Sequence, residues 1–98
     1  MSRPKKCRRI RKEPDFNRFG PKGVPNKGFI NITLEELETI KLIDMNNMTQ
    51  EECAISMRVA RTTVTGIYND ARNKIAVAIV EGKTLIIEGG NYIILDNV

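Results

Sequence analysis

QEECAISMRVARTTVTGIYN, running from Gln50 to Asn69, sets apolar or small residues at the intervals that lock two short helices across a tight turn. Cys53, Ala54, Met57, Val59, Val64 and Ile67 form the inward set, which suits a helix, a break near Arg58 to Ala60, and a second helix. The pattern predicts a helix-turn-helix. Ala54 lets the two helices approach closely where they cross, and Val59 plugs the turn into the core. With Val64 and Ile67 turned inward, Arg61, Thr62, Thr65, Gly66 and Asn69 look outward. Two positions carry a local cost. A left-handed Arg58 is about 1 kcal/mol worse than Gly, and Ala60 has no side-chain oxygen with which to cap the second helix, leaving Thr62 or Thr63 as alternative caps. Gly66 costs about 1 kcal/mol relative to Ala inside a helix, but on an outward face it allows close backbone approach.

Outward from that stretch, Thr33 with Glu36 and Thr49 with Glu52 repeat the spacing of a capping box. The first predicts a helix over about Leu34 to Met45 with an inward stripe of Leu34, Leu37, Ile40, Leu42 and Ile43. The second starts the first helix of the motif. The last helix is expected to continue from about Arg61 through Ala71, Ile75, Ala78 and Ile79 to a stop at Gly82. Beyond Lys83, TLIIEGGNYIIL reads as two strands around Gly89 and Gly90, a hairpin signal. Both faces of such a ribbon are apolar, so one face is expected on the helices and the other, or an edge, on a second copy or on the N-terminal strand. A homodimer is therefore expected. Lys6 to Lys12 reads as a short strand, followed by an irregular Pro- and Gly-rich loop in which Phe16 and Phe19 are candidate anchors.

The 98 residues, 41% of them hydrophobic, suffice for one modest aliphatic core. The expected fold is mainly α with a small β element. It comprises a basic N-terminal arm (1–28), a three-helix helix-turn-helix domain (29–83) and a C-terminal β-hairpin (84–98). Charge is unevenly spread: the arm holds ten Lys or Arg against Glu13 and Asp15, a balance of +8, and the remainder holds six against ten, a balance of −4. A basic extended arm of this kind suits a phosphate backbone. No membrane span or apolar signal segment is evident, and a cytoplasmic place is expected. Cys7 and Cys53 are not expected to form a disulfide. With no His and no CxxC, neither a metal site nor a cofactor is expected. The same lack of acid-base and nucleophilic groups argues against an enzyme.

The residues therefore point to sequence-specific double-stranded DNA binding by a transcriptional regulator that reads the major groove with the helix starting near Arg61. Arg61, Thr62, Thr65 and Asn69 are the candidate base contacts. Candidate phosphate contacts are Thr49, Gln50, Arg72 and Lys74, with Arg3, Lys5, Lys6, Arg8 and Arg9 of the arm. The rival reading is a sigma-like interaction module that docks on transcription machinery through the acidic helix faces of Glu35, Glu36, Glu38, Glu51 and Glu52. RNA is disfavoured because no aromatic stacking pair is expected on a sheet.

RPKKCRRI, GPKGVP, ITLEELETIKLID, MTQEECAISMRVARTTV and ARNKIAVAIVEGKTLIIEGG, in that order and spacing, resemble the prokaryotic domain-of-unknown-function family 134. The resemblance runs from Arg3 to Gly90. It implies small DNA-binding proteins with a helix-turn-helix similar to region four of bacterial sigma factors, and supplies no operator or ligand. Relatives tend to have Gly and Ser where Arg58 and Ala60 stand. The Cys-rich tails of some relatives are missing, and no metal or redox function is carried over.

Overall fold

The computed structural model describes residues 8–94, so Arg3, Lys5, Lys6 and Cys7 of the arm and Leu95 of the expected ribbon lie outside it. The protein is mainly helical with a small β element. Strand β1 is Arg8–Ile10, β2 is Arg18–Phe19 and β3 is Phe29–Ile32; helix α1 is Leu34–Thr39 and passes directly into a π-helical segment, Ile40–Met45. Helices α2 (Gln50–Met57) and α3 (Arg61–Glu81) follow, then strands β4 (Thr84–Ile87) and β5 (Tyr92–Ile94).

Both capping boxes form. The Thr33 hydroxyl accepts from Glu36 N at 3.2 Å while Glu36 Oε1 accepts from Thr33 N at 2.9 Å. Thr49 and Glu52 repeat this with 3.1 and 2.8 Å. Two backbone donors at each helix start are thus satisfied locally. The first helix spans the expected residues but widens after Thr39. Asn46 N bonds Lys41 O at 3.0 Å and Met48 N bonds Leu42 O at 3.0 Å, with Asn47 left-handed at φ 61°. The wider winding shifts the inward stripe: Leu34 and Leu42 are buried, whereas Leu37, Ile40 and Ile43 are half-buried.

Two apolar clusters hold the chain. Leu42, Cys53, Ala54, Met57 and Val64 form the helical one, with Ile43, Met48 and Val59 packed against it. Ile10, Ile32, Leu34 and Ile87 form the other, with Leu37, Ile75, Leu85 and Tyr92 around them. Helix α3 serves both, burying Val64, Tyr68, Ala71 and Ala78 along one side. Tyr68 is the inward residue that the 50–69 reading missed, since Ile67 is only half-buried. The Tyr68 phenol donates to Asp44 Oδ1 at 2.6 Å, tying α3 to the π-helical segment. Further along the helix Ile79 faces outward and is 73% exposed.

The expected C-terminal hairpin does not form. β4 is the middle of a three-stranded sheet of order β2-β4-β3, antiparallel to β2 and parallel to β3, and β5 instead pairs in parallel with β1. Local sequence favours a turn at Gly89-Gly90, but longer-range partners compete for it. Leu34 N bonds Gly89 O at 3.0 Å, Asn91 N bonds Glu35 Oε1, and Arg8 N bonds Asn91 O at 3.0 Å. Gly90 sits at φ 113°, and a Cβ there would collide with Glu35 Oε1. The two glycines therefore lay the chain over the start of α1 and deliver it to β1. The described part of the basic arm supplies β1 to one sheet and β2 to the other. Phe16 and Phe19 do not anchor its loop by burial, as both are exposed.

Candidate nucleic-acid interface

The turn between α2 and α3 follows from its hydrogen bonds. Arg58 is left-handed at φ 57°, ψ 49°; its N–H reaches Ile55 O at 3.3 Å, and Val59 N–H reaches Ala54 O at 3.0 Å. This is the paired-bond stop of a Schellman motif, with Val59 completing it by packing on the Ala54 cluster. Gly normally takes the left-handed position, so the Arg58 backbone conformation costs about 1 kcal/mol. Gly82 ends α3 in the same way without that cost, at φ 68°, with Lys83 N bonding Ala78 O at 2.9 Å.

Ala60 begins α3 with extended geometry and no side-chain cap. Thr62 and Thr63 do not substitute as caps; Thr63 N and Val64 N are satisfied by Ala60 O at 3.0 and 3.2 Å. The first turn of α3 therefore faces outward with uncapped N–H groups beside Arg61 and Thr62, both exposed.

Of the expected base contacts, Arg61, Thr62 and Asn69 are exposed on this face and Thr65 is half-buried. The Thr65 hydroxyl lies against Gln50 Oε1 and 3.1 Å from Arg61 O, so it joins the starts of the two helices. Gly66 is exposed, and a Cβ added there would meet nothing within 4 Å. An open cleft lined by Glu51, Ala54, Ile55, Arg58, Val59 and Arg61 runs beside the turn.

The expected phosphate contacts fare differently. Lys74 Nζ is 2.8 Å from Glu36 Oε1, and Arg8 is 2.9 Å from Glu35, whose carboxylate is buried. Arg9 Nε donates to Ser56 O at 2.9 Å. These three side chains are engaged within the fold, tying β1 to α1 and α2 and α3 to α1. Thr49 likewise spends its hydroxyl on the capping box, with Glu51 and Glu52 exposed in the same turn, where their charge opposes a phosphate. Gln50 is engaged with Thr65. Arg72 keeps an exposed guanidinium, 3.9 Å from Asp44 and 5.4 Å above the Tyr68 ring.

The acidic face of the rival reading is mostly gone. Glu35, Glu36 and Glu38 are all buried, and Lys41 lies 3.7 Å from Glu38. A helical wheel of α1 alone puts them outside, but β1, α3 and the 89–91 segment before β5 cover that side. Arg58, which sequence reasoning weighed only as a backbone cost, is the missed member of the exposed face. From Lys41 onward, Lys41, Arg72, Lys74 and Lys83 each have a carboxylate partner, while no ion pair or hydrogen bond engages the guanidinium of Arg58 or Arg61 among the described residues. The signal was available in principle: an arginine at a turn position where glycine is cheaper sets a guanidinium beside the helix start at Arg61.

The buried thiol of Cys53 is pushed up to about 11, first by burial and then by the charge of Glu38, so it stays protonated as a small apolar residue. No group of three or more His, Cys, Asp or Glu among the described residues is arranged to hold a metal ion. No helix among them is long and apolar enough to cross a membrane.

The arrangement is that of a small, mainly helical protein presenting an arginine-bearing helix pair. The profile of the family described as Protein of unknown function DUF134 matches residues 1–95, and the chain belongs to that family of small prokaryotic proteins. A UPF0251 protein of Desulfitobacterium hafniense (strain Y51) is 50% identical over 98 residues, covering 98% of this chain and 78% of the relative. One from Thermoanaerobacter pseudethanolicus is 48% identical over 98 residues, covering 98% and 83%, and one from Halothermothrix orenii is 45% identical over 94 residues, covering 94% and 70%. No solved structure matches the chain.

Proposed function

We propose that the protein is a sequence-specific DNA-binding protein, a transcriptional regulator of the prokaryotic cytoplasm, in which α2, its turn and α3 act as a helix-turn-helix. The observation that carries this reading is the pair of arginines, Arg58 and Arg61, unpartnered among the described residues and set around an uncapped helix start, in a protein whose other helical-region cations have carboxylate partners. An uncapped N-terminus with neighbouring guanidinium groups suits a DNA strand, because its free N–H groups and positive dipole end attract phosphate. The first turns of α3 would enter the major groove. Arg61 would read guanine with its planar fork, Thr62 and Asn69 would touch neighbouring base edges, and Thr65 would set the position of Gln50 rather than read a base.

Phosphate contacts in this reading come from Arg58, the exposed guanidinium of Arg72 and the arm residues Arg3, Lys5 and Lys6. The rival, a sigma-like module docking through acidic helix faces, loses support because Glu35, Glu36 and Glu38 are buried and paired.

Selection of bound duplexes from a random pool, followed by titration across salt, tests the reading. A specific sequence is expected to be enriched, and Arg61→Ala is expected to cost about 1–3 kcal/mol on it while relaxing preference at one base. Equal loss on every duplex would remove Arg61 as a reader, and absence of binding at low salt would remove DNA as the partner.

A further inference from the structure

The far end of α3 presents a different surface. Ile79 and Val80 are 73% and 83% exposed, and exposed Ala76 lies one helical turn before them on the same side. Phe19 of β2, itself 51% exposed, borders a groove of about 290 Å³ whose other walls include Pro21, Ala78, Ile79 and Leu85. Aliphatic side chains left this open on consecutive positions of a helix cost free energy in water, and such a patch marks an interaction surface.

Charge selects the occupant. Residues 75–80 carry no charge, Glu81 is neutralised by Lys83 at 3.2 Å, and Lys74 points to the opposite side, onto Glu36. A surface that meets its own copy across a two-fold axis sets the same patch on both sides, so a patch with net charge repels itself and an apolar, internally neutralised one does not. The last two turns of α3 meet that condition in a chain in which 29% of residues are charged. They also supply what the small core lacks, further apolar area to bury.

From these observations we infer that the C-terminal end of α3, with Ile79 and Val80 at its centre and Phe19 at its margin, is the surface through which two copies of this chain form a symmetric dimer. The assignment moves the dimer contact away from the ribbon expected in the sequence. There β4 is enclosed by β2 and β3, and one edge of β5 is filled by β1. The surface stands on side-chain exposure and charge alone; only the following consequence rests on DNA reading. Val80 lies roughly 28 Å along α3 from Arg61 at the usual rise of about 1.5 Å per residue. Two helices joined near their ends and diverging from one another can therefore present their starts to successive major-groove turns, about 34 Å apart.

The test uses the full chain without DNA, weighed by sedimentation equilibrium, with far-UV circular dichroism confirming the fold of each variant. Wild type is expected to be a dimer at micromolar concentration. Val80→Glu and Val80→Lys, at a site too exposed to disturb the core, are each expected to raise the dimer dissociation constant at least a hundredfold. Mixing the two variants should restore a dimer, because the opposite charges then meet at the axis. A monomeric wild type, or dimers that persist in both variants, would overturn the assignment, as would loss of the dimer on Ile93→Lys with Val80→Glu unaffected. Since DNA is absent, failure here leaves the groove-reading proposal intact, and a dimer that binds no duplex leaves this interface intact.

Discussion

Around α1, Glu35 holds Arg8, Glu36 holds Lys74 and Glu38 faces Lys41, whereas at the turn between α2 and α3 Arg58 and Arg61 have no carboxylate within ion-pair distance among the described residues. The two regions use the same residue types, and both α1 and α2 open with a Thr-Glu capping box. Burial separates them. Where β1, α3 and the 89–91 segment cover α1, an unpaired carboxylate would be costly, and each cation is recruited as a structural partner. Where α2 and α3 face outward, nothing within the described chain requires the arginines, so their charge remains available. A lysine or arginine in this protein is therefore interpreted by what lies opposite it, and local charge density is a poor guide.

The sharpest way to break that contrast is Lys74→Met. It leaves the buried Glu36 carboxylate with only its Thr33 N–H bond and is expected to lower stability by about 2 kcal/mol, less than a fully buried pair because Lys74 is partly exposed. Urea unfolding should show the loss, while duplex affinity of the folded protein stays within twofold. Weakened binding at unchanged stability would return Lys74 to the phosphate contacts.

Arg58→Gly should do the reverse. Relief of the left-handed backbone is expected to raise stability by about 1 kcal/mol, and loss of the guanidinium should lower duplex affinity, less than Arg61→Ala does. If stability does not rise, the Schellman turn is not the source of the cost assigned to it. Gly66→Ala is smaller again: open space around the site and helix propensity together predict a gain of up to about 1 kcal/mol. Should DNA lie close to that face, affinity falls as stability rises; unchanged affinity would place the contact nearer Arg61.

A further test is alkaline. The Cys53 thiol is raised from an ordinary 9.0 to about 11 by burial, and the Tyr68 phenol is raised in the same direction, chiefly by its hydrogen bond to Asp44. Both groups bind protons more tightly in the folded state, so their stabilisation is complete below their ordinary values and is lost as pH rises through the raised ones. Unfolding free energy should decline between pH 9 and 11, and Cys53→Ala should make that decline shallower. A slope identical in the variant would show that the thiol contributes nothing to it.

Much of the helical architecture was legible because its determinants are local. Thr33, Thr49 and Gly82 specify three helix boundaries through contacts a few residues away, and Cys53, Ala54, Met57 and Val64 follow helical spacing into one cluster. The sheet was not legible in the same way. TLIIEGGNYIIL carries a real turn signal, but which strands pair depends on Arg8 to Ile10 and Phe29 to Ile32, far off in sequence. The candidate site divides along the same line. Arg61, Thr62 and Asn69 were placed outward by periodicity, whereas the diversion of Lys74, Arg8 and Arg9 into the fold depended on partners that only tertiary packing brings near.

The parallel pairing of β1 with β5 has a bearing on how the chain is made. Arg8 and Ile10 leave the ribosome early, yet their partners Tyr92 and Ile94 are among the last of the described residues to be synthesised. Helices α1 to α3 can gather around the Leu42 cluster while translation continues, since the contacts among them are comparatively local. The buried position of Ile10 must wait. During that interval the newborn amino-terminal strand, basic and unpaired, is open to other partners, and the final residues of β5 determine when the domain closes.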